Sequence, residues 1–224
     1  MDSDRLARYG AASGIVFVIL LLVGFGGLVL PNVPDTSATG QEWASYFTDH
    51  QERVQWGVAV LTAGVFFLIW SLGSLRSALA AAEGGSGRLA SIAYGAGLVS
   101  AAFLVVGGGA IAAAAFRPQE VDPNLTRALN DLGIMMGAPA AGAFTALFAA
   151  AAIAGYRHKA LPASVAGLSA LAAVLQPLGV GTAFTDSGVF AASGVLGGFL
   201  PFVSFVIGYL AISIALVRRP GTAA

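Results

Sequence analysis

Cysteine is absent from this 224-residue chain, so disulfides, thiolate nucleophiles and thiolate metal sites are excluded at once. Histidine occurs only twice, at His50 and His158; His50 with Asp49 and Glu52 could supply metal ligands, but neighbours in sequence on a helix point in different directions, so neither a metal nor a haem site is expected. Charge is scarce too. Only 10% of the residues are Asp, Glu, Lys or Arg, against 57% apolar ones, whereas soluble domains carry about 25% charged residues. A surface this poor in charge is suited to lipid rather than water.

The few charges divide the chain. Long uncharged intervals separate Arg8 from Asp35, Arg53 from Arg76, Arg88 from Arg117, Asp131 from Arg157, Lys159 from Asp186, and Asp186 from Arg218. Each exceeds the ~20 residues that a helix needs to cross hydrocarbon at ~1.5 Å per residue. An uncompensated charge at the bilayer centre would cost about 2.5–3.5 kcal/mol. The pattern therefore predicts an all-α, polytopic membrane bundle forming one transmembrane domain over 1–224, with spans near 12–30, 54–75, 89–116, 132–156, 161–184 and 194–217. Runs such as Ile15 to Val23 do not alternate in polarity, which argues against a membrane barrel. A secretory signal peptide fits the first span less well, because the stretch from Gly14 to Leu30 outlasts the ~7–15 residues of such a core.

Lys and Arg give the orientation. With the N-terminus in the cytoplasm, Arg5, Arg8, Arg76, Arg88, Arg157, Lys159, Arg218 and Arg219 fall inside, and Arg53, Arg117 and Arg127 outside. Among the acidic residues only Asp2, Asp4 and Glu83 fall inside. Both termini are thus expected in the cytoplasm and the chain in the plasma membrane. Trp56, Phe116 and Phe184 then mark the outer interface, and Tyr9, Trp70, Tyr94 and Tyr156 the inner one.

The first outer loop has order of its own. Pro31 and Pro34 end the first span, and Thr39-Gly-Gln-Glu42 matches a capping box. Trp43, Tyr46, Phe47 and His50 then recur at helical spacing, predicting a short amphipathic helix over about 39–52 that lies on the membrane or folds over the bundle mouth. The loop Ala82 to Arg88 reads as a flexible turn, and Arg117 to Asp131 as a loop with a brief helix.

No ionisable residue falls inside the predicted spans, which argues against a proton relay, a voltage sensor or an intramembrane carboxylate catalyst. Proline and glycine carry the sharper signal. Pro139, Pro177 and Pro201 fall at a similar depth, roughly 12 Å below the outer surface at ~1.5 Å per residue, and glycines crowd the same zone. Gly133-xxx-Gly137 and Gly194-xxx-Gly198 fit close helix packing. The alternative is an outward-facing cavity among the last three spans, with Gln176 beside Pro177 as its polar handle and Thr145, Thr182 and Ser204 as lesser donors. At the mouth stand His50, Arg53, Asp131 and Asp186, with Arg53 and Asp131 placed to pair across it.

The order of these features resembles an uncharacterised family of six-helix integral membrane proteins from high-GC Gram-positive bacteria. The resemblance rests on Pro31 and Pro34 after the first span, the run Trp43-Ala-Ser-Tyr-Phe-Thr-Asp-His50, the close of the second span in Ser71-Leu-Gly-Ser-Leu-Arg76, and Leu161-Pro162 after a basic loop. It implies a bundle and carries no activity. The expected function is binding or passing a small apolar or amphipathic molecule, or lipid, through the outer-half cavity. An accessory subunit of a larger membrane complex is the alternative, and an intramembrane enzyme comes third. No cofactor or metal is implied. The expected partners are membrane lipid and, through the glycine faces, another membrane protein or a second copy of the chain; nothing points to nucleic acid. Tags on the two termini should be digested from the same face of sealed vesicles, and tags on opposite faces would refute an even number of crossings.

Overall fold

The computed structural model describes residues 3–219 and the side chains of 9–219; Asp2, and the side chains of Asp4, Arg5 and Arg8 used in the charge argument, lie outside the described residues. Those described residues are helical, without strands. Six helices are long and apolar enough to cross a membrane: Tyr9–Val29, Gln51–Glu83, Arg88–Phe116, Pro123–His158, Ala163–Ala183 and Val195–Val217. In chain order the α-helices are α1 (Ser3–Leu21), α2 (Gly40–Asp49), α3 (Gln51–Glu83), α4 (Arg88–Phe116), α5 (Pro123–Met135), α6 (Gly137–His158), α7 (Ala163–Leu175) and α8 (Leu200–Val217).

Two spans exceed the expected lengths. α3 runs through Arg76 to Glu83, and α5 continues into α6 because Met136 keeps helical dihedrals, giving a fourth span of 36 residues that includes Arg127 and Asp131. At ~1.5 Å per residue both are longer than ~30 Å of hydrocarbon, so their charged ends lie beyond its core. The loop at 82–88 is also more than the flexible turn expected. Glu83 accepts the backbone N–H groups of Leu89 at 3.0 Å and Ala90 at 2.7 Å, so its carboxylate caps the start of α4.

The six spans form a ring in chain order: α1 beside α3, then α4, α6, α7 and α8, with α8 returning to α1. Each crossing runs antiparallel to the next, through connections as short as 84–87 and as long as 30–50, which holds α2. Half of the ring's interior is solid. Phe17, Phe148, Phe205 and Tyr209 are fully or nearly fully buried there with Leu68, Leu72 and Ile212. Phe205 stacks on Tyr209 at 5.6 Å and meets Phe144 at 4.4 Å, while Phe17 stands edge-on to both Phe205 and Tyr209. Such pairs contribute about 0.5–1.5 kcal/mol beyond area burial. The Ser71 hydroxyl donates to Leu68 O at 2.8 Å and so takes its bond from the Tyr209 hydroxyl, which satisfies both groups inside the plug.

The other half is irregular. The first span passes into π-helix over Leu22–Val29, the fifth into 3-10 helix over Gln176–Ala183, and the sixth begins as π-helix over Val195–Phe199. Pro177 and Pro201 lie at the start of the 3-10 segment and of α8, where a missing N–H interrupts the regular ladder. Over this half lies α2, opened by the expected capping box of Thr39 and Glu42. Bonding to Thr39 holds the Glu42 carboxyl below its ordinary range. Trp43, Tyr46 and Phe47 are buried against Val54, Ala114 and Ala115, so α2 folds onto the bundle rather than lying apart from it.

Glycine sets the helix approaches. A Cβ on Gly57 would stand 2.8 Å from Gly24 O and 2.7 Å from Val29 Cγ2, and one on Gly133 would stand 2.6 Å from Ile111 Cγ1. Gly194 serves differently from the helix-packing role expected: its backbone is extended, and the turn at 188–192 folds back onto Gly194, Gly197 and Gly198. Gly57→Val should lower stability by about 1–3 kcal/mol through overpacking, measured as thermal loss of monodisperse protein in detergent. Gly73→Ala, whose Cβ meets nothing within 4 Å, should be neutral or mildly stabilising.

Candidate functional site

The irregular half of the ring surrounds a half-open cavity of about 560 Å³. Its floor is the aromatic plug, through Phe144 and Phe205. Its walls come from every span, and glycine provides the room: Gly107 and Gly108 on α4, Gly133 on α5, Gly179 in the 3-10 segment, and Gly197 and Gly198 in the second π segment. None of the lining side chains is ionisable, and the polar ones are few. Gln176 is one of them. It is buried, and its Nε2 donates to Pro201 O at 2.7 Å and to Ser204 Oγ at 3.1 Å, tying the fifth span to the sixth at the break in each.

Two non-helical segments cover the cavity. Pro34 and Thr36 come from residues 31–39, and Ala192 and Ser193 from residues 184–194. Thr36 joins them, its hydroxyl donating to Asp186 O and lying 3.4 Å from Ser193 Oγ. Beside this cover, Tyr46 donates its hydroxyl to Val29 O at 2.6 Å, and Arg53 Nη2 donates to Pro31 O at 2.6 Å and to the Tyr46 hydroxyl at 3.4 Å. Burial raises the Tyr46 phenol above its ordinary range, against the pull of Arg53. The end of the first span is thus held from α2 and α3.

One side of the ring is looser than the rest. Leu22–Val29 packs on α3, and no comparable packing joins it to Val195–Phe199 or to α8. Across that seam Phe25 and Phe202 face each other with ring centroids 5.9 Å apart, and both line the cavity. At this seam the two segments meet through side chains and not through close backbone packing.

The residues singled out from the sequence divide into groups. Gln176, Thr182 and Pro201 line the cavity, and Ser204 stands behind Gln176 as its bonding partner. Pro139 and Pro177 are exposed on the outer surface of the ring, and Thr145 turns back to Ala141 O at 2.8 Å, away from the lining. At the mouth, the pairing expected between Arg53 and Asp131 does not form. Asp131 pairs with Arg127 at 3.6 Å, one helical turn away on α5, while Arg53 is taken up by the Pro31 carbonyl. His50 stacks on Tyr46 at 4.9 Å with Nδ1 3.0 Å from Tyr46 O, and Asp186 contributes its backbone to the Thr36 latch. The sequence reading missed Trp43 and Asn130 as lining residues. Trp43 read as part of the aromatic face of the amphipathic helix, and Asn130 stood in what read as a loop with a brief helix.

The class so defined is an all-helical bundle with six helices long enough to cross a membrane and a covered, charge-free cavity in one half. No family model, curated protein or solved structure matches the chain, so the family resemblance rests on the residues quoted for it. If Thr36 holds the cover together, Thr36→Val should speed amide hydrogen exchange across residues 186–193 about fivefold, the equivalent of one net hydrogen bond of about 1 kcal/mol. Exchange in α3 and α4 should not change, and equal rates at 186–193 in both proteins would show that the latch carries no load.

Proposed function

We propose that the protein binds one small apolar or amphipathic molecule taken from the surrounding bilayer, in the half of the bundle covered by α2. The observation that carries this reading is the cavity: about 560 Å³, within the roughly 300–1,000 Å³ typical of small-molecule sites. Its lining is apolar and uncharged, which favours a ligand that itself prefers lipid. The loose seam between Phe25 and Phe202 offers access from the side. The floor supports binding over passage, since Phe144, Phe205, Tyr209 and Phe17 fill the ring beneath it. The Lys and Arg bias supports a reading in which this half faces the outer side of the plasma membrane, with both termini inside.

A second reading, an accessory subunit, draws on Gly73, Gly95, Gly109 and Gly142, where a Cβ would meet nothing within 4 Å and another helix has room to approach. The two are separable by a cavity-filling variant. Gly108 lines the cavity, and a Cβ there makes only ordinary contact, 3.6 Å from Val58 Cγ1. Protein extracted in native-membrane discs should carry one small amphiphile per chain by mass spectrometry, and Gly108→Phe should lose it while remaining monodisperse. A wild-type protein without such a molecule, or a variant that retains it, would remove the binding reading.

A further inference from the structure

Gln176 stands on the cavity wall with only 2% of its surface exposed, and its hydrogen bonds fix which way the amide is turned. Pro201 O can only accept, so the Gln176 atom 2.7 Å from it is the amide nitrogen. The second N–H goes to Ser204 Oγ at 3.1 Å, because the hydrogen of that hydroxyl is itself given to Pro201 O at 2.9 Å. Both amide hydrogens are thus spent, while Oε1 accepts none from the described residues. Four side-chain atoms without a partner are sealed among packed neighbours: Trp43 Nε1, Arg53 Nε, Thr126 Oγ1 and Asn130 Nδ2. Gln176 Oε1, equally without a partner, is not sealed, and the open space beside it is the cavity that Gln176 lines. The hydroxyls of the lining have no hydrogen to spare either. Thr182 gives its own to Gly179 O at 2.8 Å and Thr36 to Asp186 O, which leaves Ser193, 3.4 Å away, as the donor to Thr36 Oγ1. The bonded polar side chains of the lining therefore accept and do not donate.

The geometry points to a ligand with one neutral hydroxyl at its polar end: the hydroxyl donates to Gln176 Oε1, and an apolar body lies against Phe144 and Phe205. This rests on the binding reading above and names the ligand's polar group. A buried amide oxygen without a partner is costly, and a ligand that brings a hydrogen removes that cost. An ester, ether or ketone brings none and would set oxygen against oxygen. An amide brings a carbonyl along with its hydrogen, and no bonded side chain of the lining donates to it. An ammonium brings its hydrogens with a full charge, for which the lining holds no counter-ion. A sugar would bring more hydroxyls than the few polar side chains can satisfy. A long-chain alcohol meets every condition.

The test uses full-length protein in lipid nanodiscs, with radiolabelled 1-dodecanol, methyl undecyl ether and tridecane as probes, which have equal numbers of heavy atoms. Each partition is read against empty nanodiscs. The alcohol should bind about fivefold more tightly than the ether or the alkane, the worth of about one net hydrogen bond. Gln176→Met should bind all three alike, with the alkane at its wild-type level. Ser204→Ala, which leaves Oε1 in place, should keep the preference for the alcohol. Should Gln176→Met fail to fold, the wild-type protein decides: with glutamine labelled at its side-chain carbonyl carbon, the alcohol should displace a single glutamine resonance and the ether none. Equal binding of the three probes by the wild-type protein, a Gln176→Met variant that still prefers the alcohol, or a Ser204→Ala variant that loses the preference would overturn the hydroxyl assignment and leave the binding reading standing. Binding of none of the probes would overturn both.

Discussion

Hydrocarbon offers no partner to a main-chain carbonyl, and this fold is organised around where such carbonyls come free. A regular helix satisfies its own, but every helix ends with several unbonded, and each break adds more. In this bundle side chains answer them repeatedly. Tyr46 reaches Val29 O and Arg53 reaches Pro31 O at the end of the first span. Gln55 and Gln51 reach Ala115 O and Phe116 O at the end of α4. Gln176 and Ser204 both donate to Pro201 O, and at the opposite end Arg219 bonds Ala160 O and Ala78 O. Because most of these donors come from a neighbouring helix, the same bonds that make the breaks tolerable also fix the helices against one another.

That arrangement explains why the two halves of the ring differ. Where the helices are regular, large side chains fill the centre and van der Waals contact holds the bundle, since lipid provides little hydrophobic drive between helices. Where three spans turn to π or 3-10 geometry, glycines at the wall bring less side-chain volume inward, and the space is left open. Irregular backbone at membrane depth is tolerated where it is packed in protein or lines a cavity, and here it does both. π segments are also common at functional sites. The cavity is thus a consequence of how the backbone is broken.

The spans were legible in the sequence because charge placement reports depth directly. Depth was readable for the prolines as well, but direction around the helix was not. Successive residues on a helix point about 100° apart, so Gln176 faces inward while Pro177 beside it faces out, and height alone could not separate them. The failure at Arg53 and Asp131 has a similar origin. Both were placed at the same height, but Asp131 has Arg127 four residues away on its own helix, and a partner at that spacing needs no tertiary agreement. Asn130 escaped notice because the fourth span was started at residue 132, too late to include it. Trp43 was recognised as part of an aromatic face; what the face covers depends on how the loop folds back, which no local pattern encodes.

Ring closure bears on how the cavity communicates with its surroundings. Five of the six seams join spans consecutive in sequence, where the chain itself links the neighbours. The sixth joins the first span to the last, and nothing but packing holds it. In the solid half α1 and α8 pack closely, with Phe17 reaching Phe205 and Tyr209 across the join. In the hollow half the first span is drawn instead towards α3, where Gly24 lies against Gly57, and its end is tethered to Tyr46 and Arg53. The bonds that satisfy the first span's terminal carbonyls therefore pull it away from α8, leaving Phe25 and Phe202 to span the gap. On the binding reading proposed above, a seam held by two aromatic side chains would need only rotamer changes to admit a narrow apolar molecule, whereas parting any other pair of spans would disrupt glycine-close helix packing.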